Sequence, residues 1–217
     1  MSHITLVRHG QANSAARTED EYDRLSPLGF QQAEWLGQHL DDNGQYHHRV
    51  YCGTLRRHVE TATAMGVADD MVQDDRLDEL QYFDLARLAQ EQIGLAIPID
   101  REGFVQHMPQ VFAAWSEGRL ENVPESFDHF ESRVRSVIAD IIGGDGPALV
   151  VTSGGVIANA LRHTMELSLG AMSRMALAIM NTSVHRLHPI GEDLSPVLFN
   201  AVPHLEAPDR MYAQTHL

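Results

Sequence analysis

The sequence predicts an α/β protein: a three-layer α/β/α sandwich with a mostly parallel central sheet and a helical lid insertion. Three observations carry that prediction. Ile4-Thr5-Leu6-Val7 and Ala148-Leu149-Val150-Val151-Thr152 are short, continuous apolar runs rich in β-branched residues, the pattern of strands buried on both faces of a parallel sheet. Strands end in glycine-bearing turns that open helices, as at Gly53-Thr54 and Ser153-Gly154-Gly155. Strand and helix alternate along most of the chain, the order that builds a parallel sheet with helices on its faces. With 217 residues and 43% apolar content, one sizeable core is expected. Residues 1–217 therefore read as a single domain, with 81–125 as a lid or insertion within it.

The elements follow in order. After the first strand, Leu25-Ser26-Pro27 opens a helix to Leu40, with Ser26 as N-cap and Pro27 as first helical residue. Gly29, Ala33, Leu36, Gly37 and Leu40 give it a face of mostly small residues for close packing on a sheet. Asp41-Asp42-Asn43-Gly44 stops it, with Gly44 as the left-handed cap. Arg49-Val50-Tyr51-Cys52 is the second strand, and the helix behind it runs to about Met65. Met71-Val72 is a short strand. From Gln81 to Pro124 the signal is weaker and mostly helical. Phe127, Phe130, Val134, Val137, Ile138 and Ile141 mark an amphipathic helix. The helix after Ser153 carries Val156, Ile157, Ala160, Leu161 and Met165, and a further one lies around Met172–Met180. Ser183–Leu187 and Val197–Val202 read as strands joined in a hairpin through Gly191-Glu192-Asp193. The tail from Pro203 is expected to pack loosely.

The formal net charge of −14, with no run of Lys or Arg, argues against nucleic acid or an anionic membrane as partners. An anion site must then be a local basic pocket. A single cysteine, Cys52, excludes an intrachain disulfide and fits a reducing, cytoplasmic setting. No charged-then-apolar leader or membrane-length apolar run is seen. The 13 histidines raise a metal reading. His47-His48 lies in a polar connector, however, and His185 and His188 fall on opposite faces of a strand. No metal or other cofactor is expected, and the surface leaves a homo-oligomer open.

Open parallel sheets bind ligands at the carboxyl ends of their strands, and three such ends carry chemistry here. The first strand runs into Arg8-His9-Gly10. Arg offers a planar fork matching phosphate oxygens, His a ring nitrogen able to attack phosphorus, and Gly10 close approach of a bulky anion to the backbone. Arg57, placed about one turn into the helix after the second strand, reaches the same edge; two arginines can clamp a phosphoryl group. Arg56 reads as solvated and His58 as an exposed or supporting residue. In Leu77-Asp78-Glu79-Leu80, either carboxyl group, set near a phosphate, would be disfavoured as an anion and would suit a general acid. Gly154-Gly155 presents backbone N–H groups at a helix start.

In order and spacing these segments resemble the histidine phosphatase superfamily, the phosphoglycerate-mutase-like branch. The resemblance runs through Leu6-Val7-Arg8-His9-Gly10, Leu25-Ser26-Pro27-Leu28-Gly29 with Gln32-Ala33 and Leu36-Gly37, Leu55-Arg56-Arg57 with Glu60-Thr61-Ala62, Leu77-Asp78-Glu79, and Val150 to Ile157; Asn181-Thr182-Ser183 resembles the entry to the last core strand. It implies a metal-independent phosphomonoester hydrolase acting on a small phosphorylated substrate. His9 would be the nucleophile, Arg8 and Arg57 the phosphoryl clamp and Glu79 the proton donor, with Gly10, Ser153 and Gly154 around the phosphate.

The chain departs from the family at Ser153, where a second histidine is usual. A neutral, shorter donor there costs ~3 kcal/mol of transition-state stabilisation, about two orders of magnitude in rate. His58 and His185 are the candidates to fill the gap. Cys52-Gly53-Thr54 also stands where the family tends to have Ser-Ser-Pro. Two other readings follow: a weak or inactive phosphate-binding protein on the same fold, motivated by Ser153, and a phosphomutase. Gln81-Tyr82-Phe83-Asp84, with no basic residue before Arg87, is a thin endowment for a doubly phosphorylated intermediate. Tyr82, Phe83, Phe104, Phe112 and Trp115 are available either for an apolar substrate wall or for the core.

Overall fold

A computed structural model describes residues 2–13 and 15–216. Six strands form one sheet in the order β3-β2-β4-β1-β5-β6: β1 (Ile4–Arg8), β2 (Arg49–Cys52), β3 (Val72–Gln73), β4 (Ala148–Thr152), β5 (Val184–Ile190) and β6 (Asp193–Ala201). The first four run parallel; β5 and β6 add an antiparallel hairpin at one edge. The two strands read as central from their apolar runs, β1 and β4, are fully buried neighbours with Arg8 opposite Thr152.

Side chains alternate across the sheet. Val7, Leu149 and Val151 face α2 (Pro27–Asp42) and α3 (Arg56–Ala64), meeting Ala33, Leu36, Ala62 and Met65. Ile4, Leu6, Ala148 and Val150 face the other layer. That layer holds α4 (Tyr82–Ile93), α5 (Arg101–Ser116), α6 (Phe127–Ile142), α7 (Gly154–Met165) and α8 (Leu169–Ala178). A short α1 (Glu19–Tyr22) lies in the connection before α2. Among the described residues no helix is long and apolar enough to cross a membrane.

Helix boundaries follow local chemistry. The Ser26 hydroxyl accepts from Gly29 N–H, with Pro27 as the first residue of α2, and Gly44 beyond its end has φ +62°. Ser126 caps α6 in the same way. Phe112 and Trp115 belong to the main core, with the Trp115 indole donating to Glu125 O. The apolar-wall option is therefore closed for Phe112.

The tail departs from expectation. Rather than packing loosely, it is tied to α2 and to the end of β1. The Gln32 amide, fully buried, donates to Ala213 O at 2.6 Å and to Thr215 Oγ1 at 3.0 Å. Asn181 N–H donates to Thr215 O, and the Arg8 guanidinium to His216 O at 2.8 Å. Leu205 and Ala213 form a small apolar cluster with Val202. Buried polar groups must find partners, and among the described residues Gln32 finds them in the tail and at Gln11 N–H.

His185 and His204 are buried in neutral form. His185 Nε2 pairs with Ser183 Oγ, and its Nδ1 accepts from Asn200 N–H; His204 Nε2 pairs with Thr182 Oγ1. Burial is the main cause that pushes both from 6.5 to about 3. The unfolded chain takes up protons below pH 6.5 that the folded chain refuses, so stability is full above that pH and falls as pH drops toward 3. Each histidine is expected to cost about 2 kcal/mol by pH 5. Urea unfolding at pH 7.5 and pH 5 checks this. The His204→Gln variant should lose less stability across the interval than the parent; an equal loss would exclude His204 as a contributor.

Candidate active site

The carboxyl ends of β1 and β4 meet at His9, whose N–H donates to Thr152 O at 2.8 Å. The imidazole is only 2% exposed. Its Nδ1 lies 2.7 Å from Gly10 O, and a carbonyl can only accept. The proton is therefore on Nδ1, and Nε2 carries the lone pair. Burial first, then the guanidinium groups of Arg57 and Arg8, hold His9 well below the usual histidine range. The ring is neutral and its free nitrogen basic in form.

Arg57 is the second residue of α3, not a full turn in. It is 2% exposed. Its guanidinium donates to Asp23 Oδ1 at 3.0 Å and lies over the Tyr22 ring, 5.1 Å from its centre. Tyr22 in turn stands edge-on to His9 at 6.1 Å. Two carboxylates from elsewhere satisfy the start of α3. Asp78 takes the N–H groups of Thr54 and Leu55, and Asp23 those of Arg56 and Arg57. These would otherwise be orphan donors at a positive helix end. Arg56 itself points outward to Glu60.

Arg8 is 8% exposed yet has no carboxylate partner among the described residues. Its guanidinium donates to the carbonyls of Ile179 and His216. The Nε–H groups of Arg8 and Arg57 are both buried without a partner among the described residues.

Glu79 and Asp78, left open by the sequence, have different surroundings. Glu79 Oε2 accepts from Gly155 N–H at 2.8 Å, and Oε1 from Leu80 N–H at 3.0 Å. Asp78 is occupied by the start of α3. The Gly155 N–H read as aimed at a ligand is thus taken by the Glu79 carboxylate. Gly10 also differs from the reading that gave it to a bulky anion. A Cβ there would overlap the backbone of Gly29, so its smallness serves the docking of α2, and its N–H donates to Thr61 Oγ1.

Ser153, at the start of α7, is fully buried, and its hydroxyl is 2.6 Å from His58 Nε2. His58 is likewise buried, not exposed, with its ring centre 5.8 Å from that of His9. His185, the other candidate to fill the corner, has both ring nitrogens engaged between β5 and β6. Asp23, Tyr22 and Glu19 carry no motif in the sequence. Glu19 accepts from Phe83 N–H at 2.9 Å; burial first raises its carboxyl from 4.5 to about 7, with Arg57 and Glu79 among the charges acting on it. A separate cavity of about 850 Å³ adjoins Glu79, lined also by Trp115, Glu125 and Arg133; it includes neither His9 nor the two site arginines.

A neutral imidazole with one bare nitrogen, set among buried guanidinium groups at the strand ends of an α/β sheet, defines a class of enzyme built around phosphoryl groups. The profile described as Histidine phosphatase superfamily (branch 1) matches residues 4–202, and the chain belongs to that superfamily. It is 23% identical, over 94% of its length and 98% of the relative's, to "Putative phosphoserine phosphatase 2" of Hydrogenobacter thermophilus. In fold it resembles a mutant phosphoserine phosphatase of Entamoeba histolytica solved with phosphoserine (TM-score 0.70, 17% identity, 94% of this chain and 100% of that one). It also resembles a phosphoglycerate mutase of Bacillus anthracis (TM-score 0.67, 19% identity, 94% of each chain).

The two neighbouring glycines of α7 separate cleanly. A Cβ on Gly155 would overlap the Glu79 carboxylate, whereas one on Gly154 meets nothing nearer than Ala176 O at 3.6 Å. Gly155→Ala should lose about 1–3 kcal/mol in a denaturant titration, and Gly154→Ala less than 0.5 kcal/mol in either direction by the same order of magnitude.

Proposed function

We propose that the protein is a metal-independent phosphatase that hydrolyses a small phosphomonoester through a phosphohistidine on His9. The observation that carries this is the bare Nε2 of a neutral, buried imidazole beside two guanidinium groups whose Nε–H donors have no partner among the described residues. Buried charge without compensation is costly. An anionic phosphoryl group would supply the missing acceptors.

The residues divide the reaction as follows. Arg8 and Arg57 hold the equatorial phosphoryl oxygens, with Ser153 and the Gly154 end of α7 at the same corner. The His9 Nε2 lone pair forms the N–P bond while the ester P–O bond breaks, and the Glu79 carboxyl passes its proton to the leaving oxygen. A water then attacks phosphorus, Glu79 recovers a proton from it, and inorganic phosphate departs with His9 restored. Glu79 is favoured over Glu19 as the proton donor because two backbone N–H groups fix its position beside α7; Glu19 lies at the rim formed by α1 and the start of α4.

In this reading residues 1–217 form one phosphoglycerate-mutase-like domain, and 81–125, containing α4 and α5, is an insertion shaping the site's substrate side. At the start of α4, Phe83 stands 6.0 Å from Tyr22 and Tyr82 6.1 Å from Phe83, so the non-phosphoryl part of the substrate would meet an aromatic rim. The relatives' substrates support a small phosphorylated metabolite.

The test is hydrolysis of p-nitrophenyl phosphate with acid-labile, alkali-stable label trapped on the protein. His9→Ala should lower kcat by about 10³-fold or more, as removal of a nucleophile does, and abolish the label. Equal rates in both proteins would refute the proposal. Vanadate binding without turnover or label on any phosphorylated substrate would instead establish the non-catalytic reading. Glu79→Gln should reduce kcat by about 10²-fold, and Glu19→Gln by less; the reverse order would transfer the acid role to Glu19.

A further inference from the structure

We propose that Ser153, His58 and Asp78 act as one relay at the phosphoryl pocket: Ser153 gives its hydroxyl hydrogen to a phosphoryl oxygen, and His58, backed by Asp78, positions that hydroxyl and supplies positive charge behind it. The inference rests on the reading of His9 as the centre of the pocket.

Four observations support it. Ser153 occupies the N-cap position of α7, where a serine ordinarily accepts from the helix's own N–H groups, yet it makes no cap bond. Its hydroxyl is turned instead to His58 Nε2 at 2.6 Å. Second, the other ring nitrogen, Nδ1, is buried without a hydrogen bond and faces Asp78 Oδ1 at 3.6 Å. Third, the residue beside this pair is Gly53, where any Cβ would overlap His58 Nδ1 and come 2.5 Å from Asp78 Oδ1. The backbone is therefore shaped to admit this imidazole. Fourth, the rings of His58 and His9 are 5.8 Å apart, and Ser153 directly follows Thr152, whose carbonyl holds His9 N–H.

Protonation sets the direction of the relay. Without an anion His58 is neutral, held at about 4 chiefly by burial. Asp78 and Asp23 favour its charged form, and Arg57 opposes it; of the other titratable groups around this corner, His9 has its affinity for protons lowered by His58, Cys52 lies beside Asp78 and Glu19 is within the field of Arg57. A dianion at the pocket offsets the burial cost. His58 then takes one proton from solvent. Its Nδ1–H points to Asp78 and its Nε2–H to Ser153 Oγ, which leaves the serine O–H free to donate outward. His58 and Asp78 are positioning residues here; Ser153 makes the contact.

Sulfate is the probe, since its charge is constant through the range. Calorimetry of sulfate binding to His9→Ala, in two buffers of different ionisation enthalpy near pH 6.5, should show uptake of close to one proton per sulfate. In His9→Ala/His58→Gln the uptake should fall to near zero while sulfate still binds. Equal uptake in the two, or binding with no uptake in the first, overturns the relay. No sulfate binding to His9→Ala overturns the pocket and the relay together. Absence of a phosphohistidine in the wild-type protein would sink the covalent mechanism while leaving the uptake result standing. In turnover of p-nitrophenyl phosphate, Ser153→Ala and His58→Gln should each lower kcat/KM by about tenfold to a hundredfold, and the double variant no further than the worse single one, as groups acting as a unit do. Independent, multiplying losses would also overturn it.

Discussion

The constraint on which the site depends is the burial of positive charge at the carboxyl end of β1. Two guanidinium groups lie within reach of one imidazole, and a second imidazole lies behind it, in a chain of net charge −14. The excess acid of the surface is not what balances them. Arg57 has Asp23, and His58 faces Asp78. Among the described residues Arg8 has neutral carbonyls and no carboxylate. A buried ion pair with good geometry roughly breaks even, but an unpaired buried charge costs several kcal/mol. On the proposed function that cost stays in the ligand-free protein and would be relieved by an anion, stability being given up for a preorganised pocket. The neutrality of His9 follows from the same charges. The guanidinium groups that would hold a phosphoryl group also keep a proton off the nitrogen that would attack it.

The carboxylates do two jobs at once. Asp23 and Asp78 come from outside α3, yet between them they satisfy four successive N–H groups at its start. A negative charge at a helix N-terminus is favourable by itself. Here it also fixes the helix end that carries Arg57 and His58, so the placement of two site residues follows from the cap. Loss of Asp23 would unseat a backbone turn as well as unpair a guanidinium group, and a change there is felt in the fold and in the chemistry together.

Legibility followed the range of the interaction. Strands β1 and β4, the capped α2 and the amphipathic α6 were visible because their signals are local: an apolar run, a Ser-Pro start, a 3.6-residue period. The Arg8-His9 junction was visible for the same reason. The partners of those residues were not. Asp23 reaches Arg57 across 34 residues and Ser153 reaches His58 across 95, and neither segment has a periodicity that reports the contact. Gly10 was misread because a glycine beside a histidine says only that something approaches closely; the structure shows that it is the Gly29 backbone. The tail was misread because its anchoring lies in α2: Gln32 among the small residues of a packing face was the available sign of a buried amide in need of partners.

On the proposed relay, an imidazole on α3 in place of one at the strand end changes what the corner can do. An imidazole placed directly on the phosphoryl group donates through its own nitrogen. With a serine between, the contact is a shorter, neutral donor, and the charge sits one hydrogen bond further back. Separation weakens the Coulomb attraction, yet it frees the second nitrogen of His58 to face Asp78, which stabilises the imidazolium without approaching the phosphoryl oxygens. Three positions must then agree: serine at 153, histidine at 58, and at 53 a residue with no side chain to block the ring from Asp78. All three are present, and Ser153 forgoes the helix cap that its position offers. A serine left behind by a lost histidine would be under no such pressure to turn to His58.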